Sequence, residues 1–337
     1  MDKRFESSRR FYEAEVAPMI HEKFREAEDR IAVGIAGEGS DCFGYDDLIS
    51  RDHDFGTGVC LWLTGEDMQA FGSDLADAYA TLVESRGGDG LTERLRERRG
   101  VMSINDFYSN VLGTDLNVEK LCDILGLNRR KEVPDGGSDI KMELTVEFWN
   151  DIDNSCLATA VNGEVFRDDL RIFSAFREFL LDYYPEDVWR IRIAEELHSF
   201  SAALQVNYAR CMTRGDVVAA SVCRLKGIEA AMQLFFLMKR EYPPYYKWTY
   251  RRLTELDREG TFSALIRDLS LRSFNMGAWE DRPYNPDKLN TDDETVVITE
   301  KIASHIVSML GQRGFIRSVD PYLETHVNEV LKSKDMY

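Results

Sequence analysis

Residues 31–40 read Ile-Ala-Val-Gly-Ile-Ala-Gly-Glu-Gly-Ser, and this stretch decides the fold of the first half of the chain. The apolar run 31–36 is short and is followed by glycines, which predicts one buried strand that ends in a turn. The residues Asn162-Gly163 predict a second tight turn. Around these points, periodicity predicts helices over 5–30 and 68–85 and strands at 53–63, 101–104, 142–148 and 164–166. The segment between the strands at 101–104 and 142–148, with Leu112, Leu121 and Leu125, is also predicted to be helical.

The second half of the chain has a different pattern. From Phe173 onward the apolar residues recur at helical spacing, which predicts helices at 189–208, 216–242, 246–257 and 321–332. The pair Thr291 and Glu294 has the spacing of a capping box and predicts the start of another helix. The sequence therefore predicts an α+β protein, with a small mixed α/β domain over 1–170 and an all-helical bundle over 171–337.

Charge and composition exclude some classes of function. The 337 residues include 60 acidic and 42 basic side chains, which gives a formal net charge of −18. Broad contact with the DNA backbone needs clustered Lys and Arg, so we expect no DNA partner, whereas a cationic substrate suits this charge. The longest apolar run, 230–238, is too short for a membrane span. The six cysteines include no CxxC pair, and we expect a cytoplasmic protein with reduced thiols.

One constellation carries residues typical of nucleotide chemistry. The predicted strand 31–36 leads into Gly39-Ser40, and after eleven residues the chain continues with Asp52-His53-Asp54. Alternate residues of a strand point to the same face, so Asp52 and Asp54 would project together and His53 away from them. Two carboxylates are typical ligands of Mg²⁺, and glycine allows the backbone to approach a phosphate closely. However, two aspartates at a solvent-exposed strand end are also common in proteins that bind no metal there.

This constellation resembles the signature of the polymerase-beta-like nucleotidyltransferase superfamily. Further segments, Asn162 to Asp168, Tyr184 to Trp189 and Tyr245-Tyr246-Lys247-Trp248, are similar to a bacterial nucleotidyltransferase-like family whose members mostly have no assigned function. The layout is similar to that of the antibiotic nucleotidyltransferases that act on aminoglycosides and lincosamides. The resemblance covers most of the chain and implies a catalytic α/β domain followed by a helical bundle, with the active site in the cleft between them.

The resemblance also implies a reaction. It implies that Gly39 and Ser40 bind the triphosphate of ATP or another nucleotide, and that Asp52 and Asp54 are catalytic and bind Mg²⁺. It implies that Lys247 reaches the β- and γ-phosphates, although such a lysine can equally snorkel at a domain surface. AMP would pass to a hydroxyl group of a small molecule, a protein or an RNA end, with release of pyrophosphate.

The sequence leaves the general base open. A third carboxylate is usual in the superfamily, but the predicted strand 101–104 carries none. Asp106 follows that strand, and Glu143 and Glu147 lie in phase on the next predicted strand. Each of these three residues is a candidate.

Two alternatives to a nucleotidyltransferase of this kind remain. The first is a catalytically silent protein that binds nucleotides or interacts with a partner, because the third carboxylate is not identified. The second is a toxin–antitoxin-type protein that modifies RNA by nucleotide transfer or cleaves it. Cleavage would use Arg192 and His198, which have the spacing of a helical ribonuclease family on one predicted helix, although this spacing arises easily by chance.

Overall fold

The computed structural model describes residues 5–45, 58–85, 98–124, 126–127, 146–286 and 288–332. The contacts divide the chain into two compact units, Met1–Tyr183 and Tyr184–Tyr337. The fold is α+β, as the sequence predicts: one small sheet lies in the first unit, and helices make up most of the rest. No helix among the described residues is long and apolar enough to cross a membrane.

The sheet of the first unit is mixed. Its described strands are β1 (Ala32–Ile35), β2 (Cys60–Leu63), β3 (Gly100–Ser103) and β4 (Glu164–Arg167). They lie in the order β3-β2-β1-β4, with β1 antiparallel to both of its neighbours and β2 parallel to β3. Gly34 is required in β1, because a Cβ there would lie 2.5 Å from the carbonyl oxygen of Glu164. Four of the five predicted strands are thus confirmed in the described residues.

The two faces of β2 bury different clusters. Leu61 and Leu63 belong to a core cluster that includes Leu75 and residues from the N-terminal helices. Trp62 stacks on Phe173, with ring centroids 3.8 Å apart. This alternation along one strand is the two-residue period of β-structure, with both faces covered.

Helices form most of the rest of the first unit. They are α1 (Glu6–Phe11), α2 (Ala17–Lys23), α3 (Gly65–Glu84), α4 (Ile104–Leu112), α5 (Val118–Ile124), α6 (Val146–Asp151), α7 (Asn154–Val161) and α8 (Ile172–Leu181). A π-helical segment, Tyr12–Val16, joins α1 to α2, and a 3₁₀ segment, Arg25–Arg30, follows.

The prediction of a strand at 142–148 is wrong where the structure describes it. Val146–Asp151 is the helix α6, and residues 142–145 lie outside the described part. Trp149 and Ile152 are both buried, and their spacing of three residues fits one face of a helix. Apolar residues alternate at 142, 144, 146 and 148, which is the strand period, but from residue 146 onward the apolar positions 146, 149 and 152 have helical spacing, and the two patterns overlap at 146–148.

All regular secondary structure in the described residues of the second unit is helical. Its helices are α9 (Glu186–Phe200), α10 (Tyr208–Thr213), α11 (Val217–Lys239), α12 (Tyr246–Leu256), α13 (Thr261–Leu271), α14 (Glu294–Gln312) and α15 (Val327–Lys332). A π-helical segment, Ser201–Asn207, joins α9 to α10. Leu197, Leu234 and Ile302 are fully buried between the helices. The predicted helices are confirmed.

The capping residue of α14 differs from the prediction. Asp293, rather than Thr291, is the N-cap, and its carboxylate accepts the backbone N–H of Thr295 at 2.8 Å. The carboxylate also accepts hydrogen bonds from the Tyr208 hydroxyl and the Trp279 ring nitrogen. Aspartate is a strong N-cap, and these buried donors favour it over the threonine two residues earlier.

Candidate functional site

The turn that follows β1 depends on two glycines. Gly37 and Gly39 have φ angles of 103° and 120°, in the region that favours glycine. A Cβ on Gly39 would lie only 2.3 Å from the Asp41 carboxylate. The chain therefore passes from β1 into Ser40 through a turn that other residues would distort.

The turn leaves backbone donors available. The carbonyl oxygen of Ser40 accepts the N–H groups of Phe43 and Tyr45, at 3.2 and 2.8 Å, which forms a short helical turn. Within the described residues, the N–H groups of Gly39 and Ser40 have no hydrogen-bond acceptor, and both residues are partly exposed. Successive N–H groups without acceptors in such a turn are a common way to bind an anion, phosphate above all.

Asn162 fixes the start of the turn. Its side-chain oxygen accepts the N–H of Gly37 at 2.9 Å, and its side-chain nitrogen donates to the Gly37 carbonyl oxygen at 2.8 Å. The next residue, Gly163, has φ of 70° and stands where a Cβ would clash with the Ile35 carbonyl oxygen. The pair Asn162-Gly163 thus forms the predicted tight turn before β4 and also holds the turn after β1.

Arg99 supports the same turn from the interior. Its side chain is only 1% exposed, and Nη2 donates to the Asp41 carboxylate at 2.8 Å and to the Cys42 sulfur at 2.9 Å. Its Nη1 donates to the Arg98 carbonyl oxygen at 3.0 Å and approaches that of Ala36 at 3.5 Å. A buried guanidinium needs such a set of acceptors, and together they tie residues 36–42 to the base of β3.

The two cysteines beside Arg99 are structural. Cys42 and Cys60 are fully buried, and burial raises the pKa of each thiol by more than the Arg99 guanidinium lowers it. They are therefore neutral thiols at neutral pH, and neither is a nucleophile.

The structure brings together only part of the predicted site. Gly39 and Ser40 form the turn, but Asp52 and Asp54 lie outside the described residues. Lys247 is an exposed residue in the first turn of α12, in the second unit. Beside it, the Trp248 ring nitrogen donates to the Tyr245 hydroxyl at 2.7 Å. No ion pair of Lys247 is seen in the described part of the chain.

The candidates for the base remain open. Asp106 is exposed in the first turn of α4, where its N–H donates to the Ser103 hydroxyl. Glu143 and the side chain of Glu147 lie outside the described residues. No group of three or more metal-ligating side chains occurs among the residues that the structure describes.

Arg192 and His198, both on α9, contact different residues. The Arg192 guanidinium lies 5.0 Å from the Tyr184 ring centroid, and the His198 imidazole contacts the Glu324 carboxylate at 2.9 Å. Six residues along a helix correspond to about 120° around its axis, so the two side chains leave the helix on different faces.

The sequence analysis missed Arg99, and it identified Asn162 as a turn residue and as part of a segment similar to the family, but not as a partner of Gly37. Arg99 lies in the arginine-rich run Arg-Glu-Arg-Arg at 96–99, in which no local pattern marks the one that is buried.

Comparison with known proteins gives one partial match. Residues 149–249 match a family described as a domain of unknown function, DUF4037. The matched region contains Asn162, β4 and the first turn of α12 with Lys247, whereas the turn at Gly39 and Ser40 precedes it. No curated protein and no solved structure matches the chain.

Proposed function

We propose that the turn at 37–44 binds the triphosphate of a nucleotide and that the protein is a Mg²⁺-dependent nucleotidyltransferase. The observation that carries this proposal is the pair of N–H groups at Gly39 and Ser40, which have no acceptor among the described residues and lie in a turn that contacts Arg99 and Asn162. A preorganised set of donors binds an anion without first paying for its own ordering. The resemblance to the nucleotidyltransferase signature indicates that the bound anion is a nucleotide, and ATP is the proposed substrate.

The proposed reaction is an in-line displacement at phosphorus. A hydroxyl oxygen of the acceptor forms a bond to the α-phosphorus, the bond from that phosphorus to the bridging oxygen breaks, and pyrophosphate leaves. The hydroxyl proton passes to a base, for which Asp106, Glu143 and Glu147 are the proposed candidates. Mg²⁺ bound by Asp52 and Asp54 would neutralise charge that develops on the phosphates. Lys247 as a phosphate contact and the identity of the acceptor (small molecule, protein or RNA end) stay predictions.

The proposal suits a cytoplasmic protein. ATP and Mg²⁺ are abundant there, and all six cysteines are free thiols. We therefore propose the cytoplasm as its location.

Calorimetric titration of ATP with Mg²⁺ tests the proposal. We expect wild type to bind and the double variant Asp52→Asn/Asp54→Asn to lose the Mg²⁺-dependent part of the affinity. Asp74→Asn/Asp77→Asn, on the exposed face of α3, makes the same charge change elsewhere and is expected to bind as wild type does. If wild type binds no nucleotide, or if both double variants bind equally well, the proposal fails.

A second pair of variants tests the turn itself. Gly39→Ala is expected to weaken ATP binding by about tenfold or more, because the new Cβ displaces the N–H groups. Gly113→Ala also replaces a glycine of positive φ, but there no atom lies within 4 Å of the new Cβ. It is expected to cost stability without loss of binding. Binding without pyrophosphate release for any acceptor would support the silent nucleotide-binding alternative.

A further inference from the structure

Two cysteines of the second unit lie on the two arms of a helical hairpin. Cys211 is in the last turn of α10, and Cys223 is in the second turn of α11. Between the helices, the N–H of Asp216 donates to the Cys211 carbonyl oxygen, and the N–H of Gly215 donates to that of Met212, both at 3.0 Å. This pair of hydrogen bonds, with Gly215 at a φ of 74°, is a Schellman motif, which ends α10. The chain then continues as α11, which packs against α10.

A shared contact places the two cysteines at the same level of this hairpin. The Phe274 ring stacks with Tyr208 of α10, with centroids 6.4 Å apart, and its centroid lies 4.1 Å from the Arg224 guanidinium of α11. Cys211 follows Tyr208 by about one helical turn, and Cys223 directly precedes Arg224. Both cysteines also pack against the same cluster of buried side chains, which includes Tyr208. The hairpin therefore brings the two cysteine side chains together.

The two thiols interact with each other. Burial raises the pKa of the Cys223 thiol, the Cys211 thiol raises it further, and the Lys226 ammonium lowers it by less. One ionisable group affects another in this way when the two are about 4–6 Å apart or closer. The two sulfur atoms are therefore neighbours, as the contacts of the hairpin indicate.

Access to solvent separates this pair from the buried cysteines. Cys211 and Cys223 are partly exposed, whereas Cys42, Cys60 and Cys122 are buried. Besides burial, the Cys60 thiol contributes to the raised pKa of Cys42, so these two are also close to each other, but both are fully enclosed. The oxidation of a thiol requires contact with the oxidant. A dissolved oxidant can therefore reach the pair in the hairpin, whereas the pair at Cys42 is shielded from it.

We propose that Cys211 and Cys223 are a redox-sensitive dithiol, which a peroxide converts to a disulfide across the hairpin of α10 and α11. In a reducing compartment the pair is present as two thiols, and a rise in peroxide oxidises it. Disulfides of cytoplasmic proteins are usually transient and redox-sensing, which suits a partly exposed pair. The site lies in the second unit, and the inference does not depend on nucleotide binding at Gly39.

The oxidation has two steps. A thiolate of the pair attacks one oxygen of hydrogen peroxide, the O–O bond breaks, and the hydroxide that leaves takes up a proton to form water. That cysteine is then a sulfenic acid. The second thiolate attacks the sulfenic sulfur, the S–O bond breaks, and the oxygen leaves as water after it takes up a proton. The two thiols lose two electrons and two protons, and one peroxide is reduced to two molecules of water.

Peptide mapping of the full-length protein tests the proposal. The folded protein is treated with one equivalent of hydrogen peroxide, alkylated with N-ethylmaleimide in denaturant and digested with trypsin, which cleaves after Arg210, Arg214 and Arg224. The two cysteines are then on separate peptides, 211–214 and 215–224. We expect a disulfide that joins these peptides and that dithiothreitol reduces. The number of alkylated cysteines is expected to fall from six to four, since two of the six are joined. Six free thiols after treatment, or a disulfide between other cysteines, overturns the proposal.

Single substitutions separate a specific pair from general oxidation. Cys211→Ser and Cys223→Ser are each expected to give no linked peptide. Cys156 is partly exposed, and burial and neighbouring carboxylates, rather than a second thiol, raise its pKa. Cys156→Ser is therefore the matched control and is expected to form the linked peptide as wild type does. Protein unfolded in urea before the addition of peroxide is expected to give a several-fold lower yield of the linked peptide. Equal yields from folded and unfolded protein contradict the proposal, because the hairpin then plays no part in the pairing.

The midpoint of thermal unfolding shows whether the disulfide suits the folded hairpin. A disulfide that closes this short loop restricts the unfolded chain, so oxidised wild type is expected to unfold a few degrees above the reduced protein. The same treatment is expected to leave the midpoint of Cys211→Ser unchanged. A lower midpoint for oxidised wild type overturns the proposal, because it would mean that the helices must be distorted to bring the two sulfur atoms together.

Discussion

Glu196, on α9, is a carboxyl group that its surroundings hold against ionisation. Burial, and then the neighbouring carboxylates of Glu229 and Glu195, raise its pKa to about 7, while Arg192 lowers it by less. An unfolded chain ionises this group near its ordinary pKa of about 4.3. Between these two values the folded protein holds a proton that the unfolded chain has released, so stability falls as the pH rises towards 7 and is then constant.

Glu196→Gln removes the free-energy cost of ionising this buried carboxyl group. The variant is expected to be more stable than wild type at pH 8 by about 1–3 kcal/mol, with a difference that shrinks towards pH 4.5. Urea unfolding at a series of pH values measures it. Glu280→Gln, at an exposed turn, is the control and is expected to follow wild type at every pH. A stabilisation by Glu196→Gln that is the same at pH 4.5 and pH 8 would contradict the assigned cause.

Single residues of the candidate site were predictable to different degrees. Gly39 and Ser40 follow an apolar strand, and that local pattern is enough to predict a turn. Arg99 holds the turn because it is buried beside the Asp41 carboxylate. Asn162 holds it through a contact with Gly37, which is 125 residues away in the sequence. Neither fact has a local signal in the sequence, because each depends on how distant strands pair.

At the scale of elements, the contact between the π-helical segment and α11 is unusually close. A Cβ on Gly227 of α11 would lie 2.2 Å from Cγ of Leu204. Glycine within a helix normally costs about 1 kcal/mol relative to alanine, so its presence here indicates a need for space. The wider turn of the π-helical segment Ser201–Asn207 carries Leu204 to this position.

Gly227→Ala is therefore expected to destabilise the protein by about 1–3 kcal/mol, although the same change in an open helix stabilises. Gly311→Ala in α14 is the matched control: no atom lies within 4 Å of its new Cβ, and we expect stabilisation by about 0.5–1 kcal/mol. Thermal unfolding monitored by circular dichroism compares the two. Addition of Leu204→Ala to Gly227→Ala is expected to restore part of the loss through a non-additive effect. Stabilisation by Gly227→Ala alone would refute the close contact.

The elements themselves were largely predictable, and the failures have physical reasons. Apolar residues that repeat at helical spacing identified α3, α11 and α12, because a helix in a folded protein buries one continuous face. The segment 146–148 was assigned to a strand, because it ends the alternating run 142–148, but it also begins the helical spacing of 146, 149 and 152. The two π-helical segments carry no signal of their own, because they depend on packing against a neighbouring element.

At the scale of the whole molecule, α8 decides where the first unit ends. A fragment of residues 1–170 follows the predicted division, whereas 1–183 follows the contacts and retains α8. In α8, Phe173 stacks on Trp62 at 3.8 Å, and Phe176 meets Tyr108 edge-on at 4.8 Å. The Tyr108 hydroxyl donates to the Phe173 carbonyl oxygen at 3.1 Å. Loss of α8 exposes one face of the sheet and leaves a buried hydroxyl without an acceptor.

Each phenylalanine removed from a core costs about 3–5 kcal/mol, so the loss of two approaches the whole stability of a typical domain. Fragment 1–183 is therefore expected to unfold cooperatively in urea, and fragment 1–170 to show no cooperative transition. A third fragment, 1–183 with Phe173→Ala and Phe176→Ala, separates the packing of the rings from chain length, and we expect it to behave like 1–170. If 1–170 unfolds at the same urea concentration as 1–183, the rings of α8 contribute nothing to the first unit, and the division lies where the sequence predicts it.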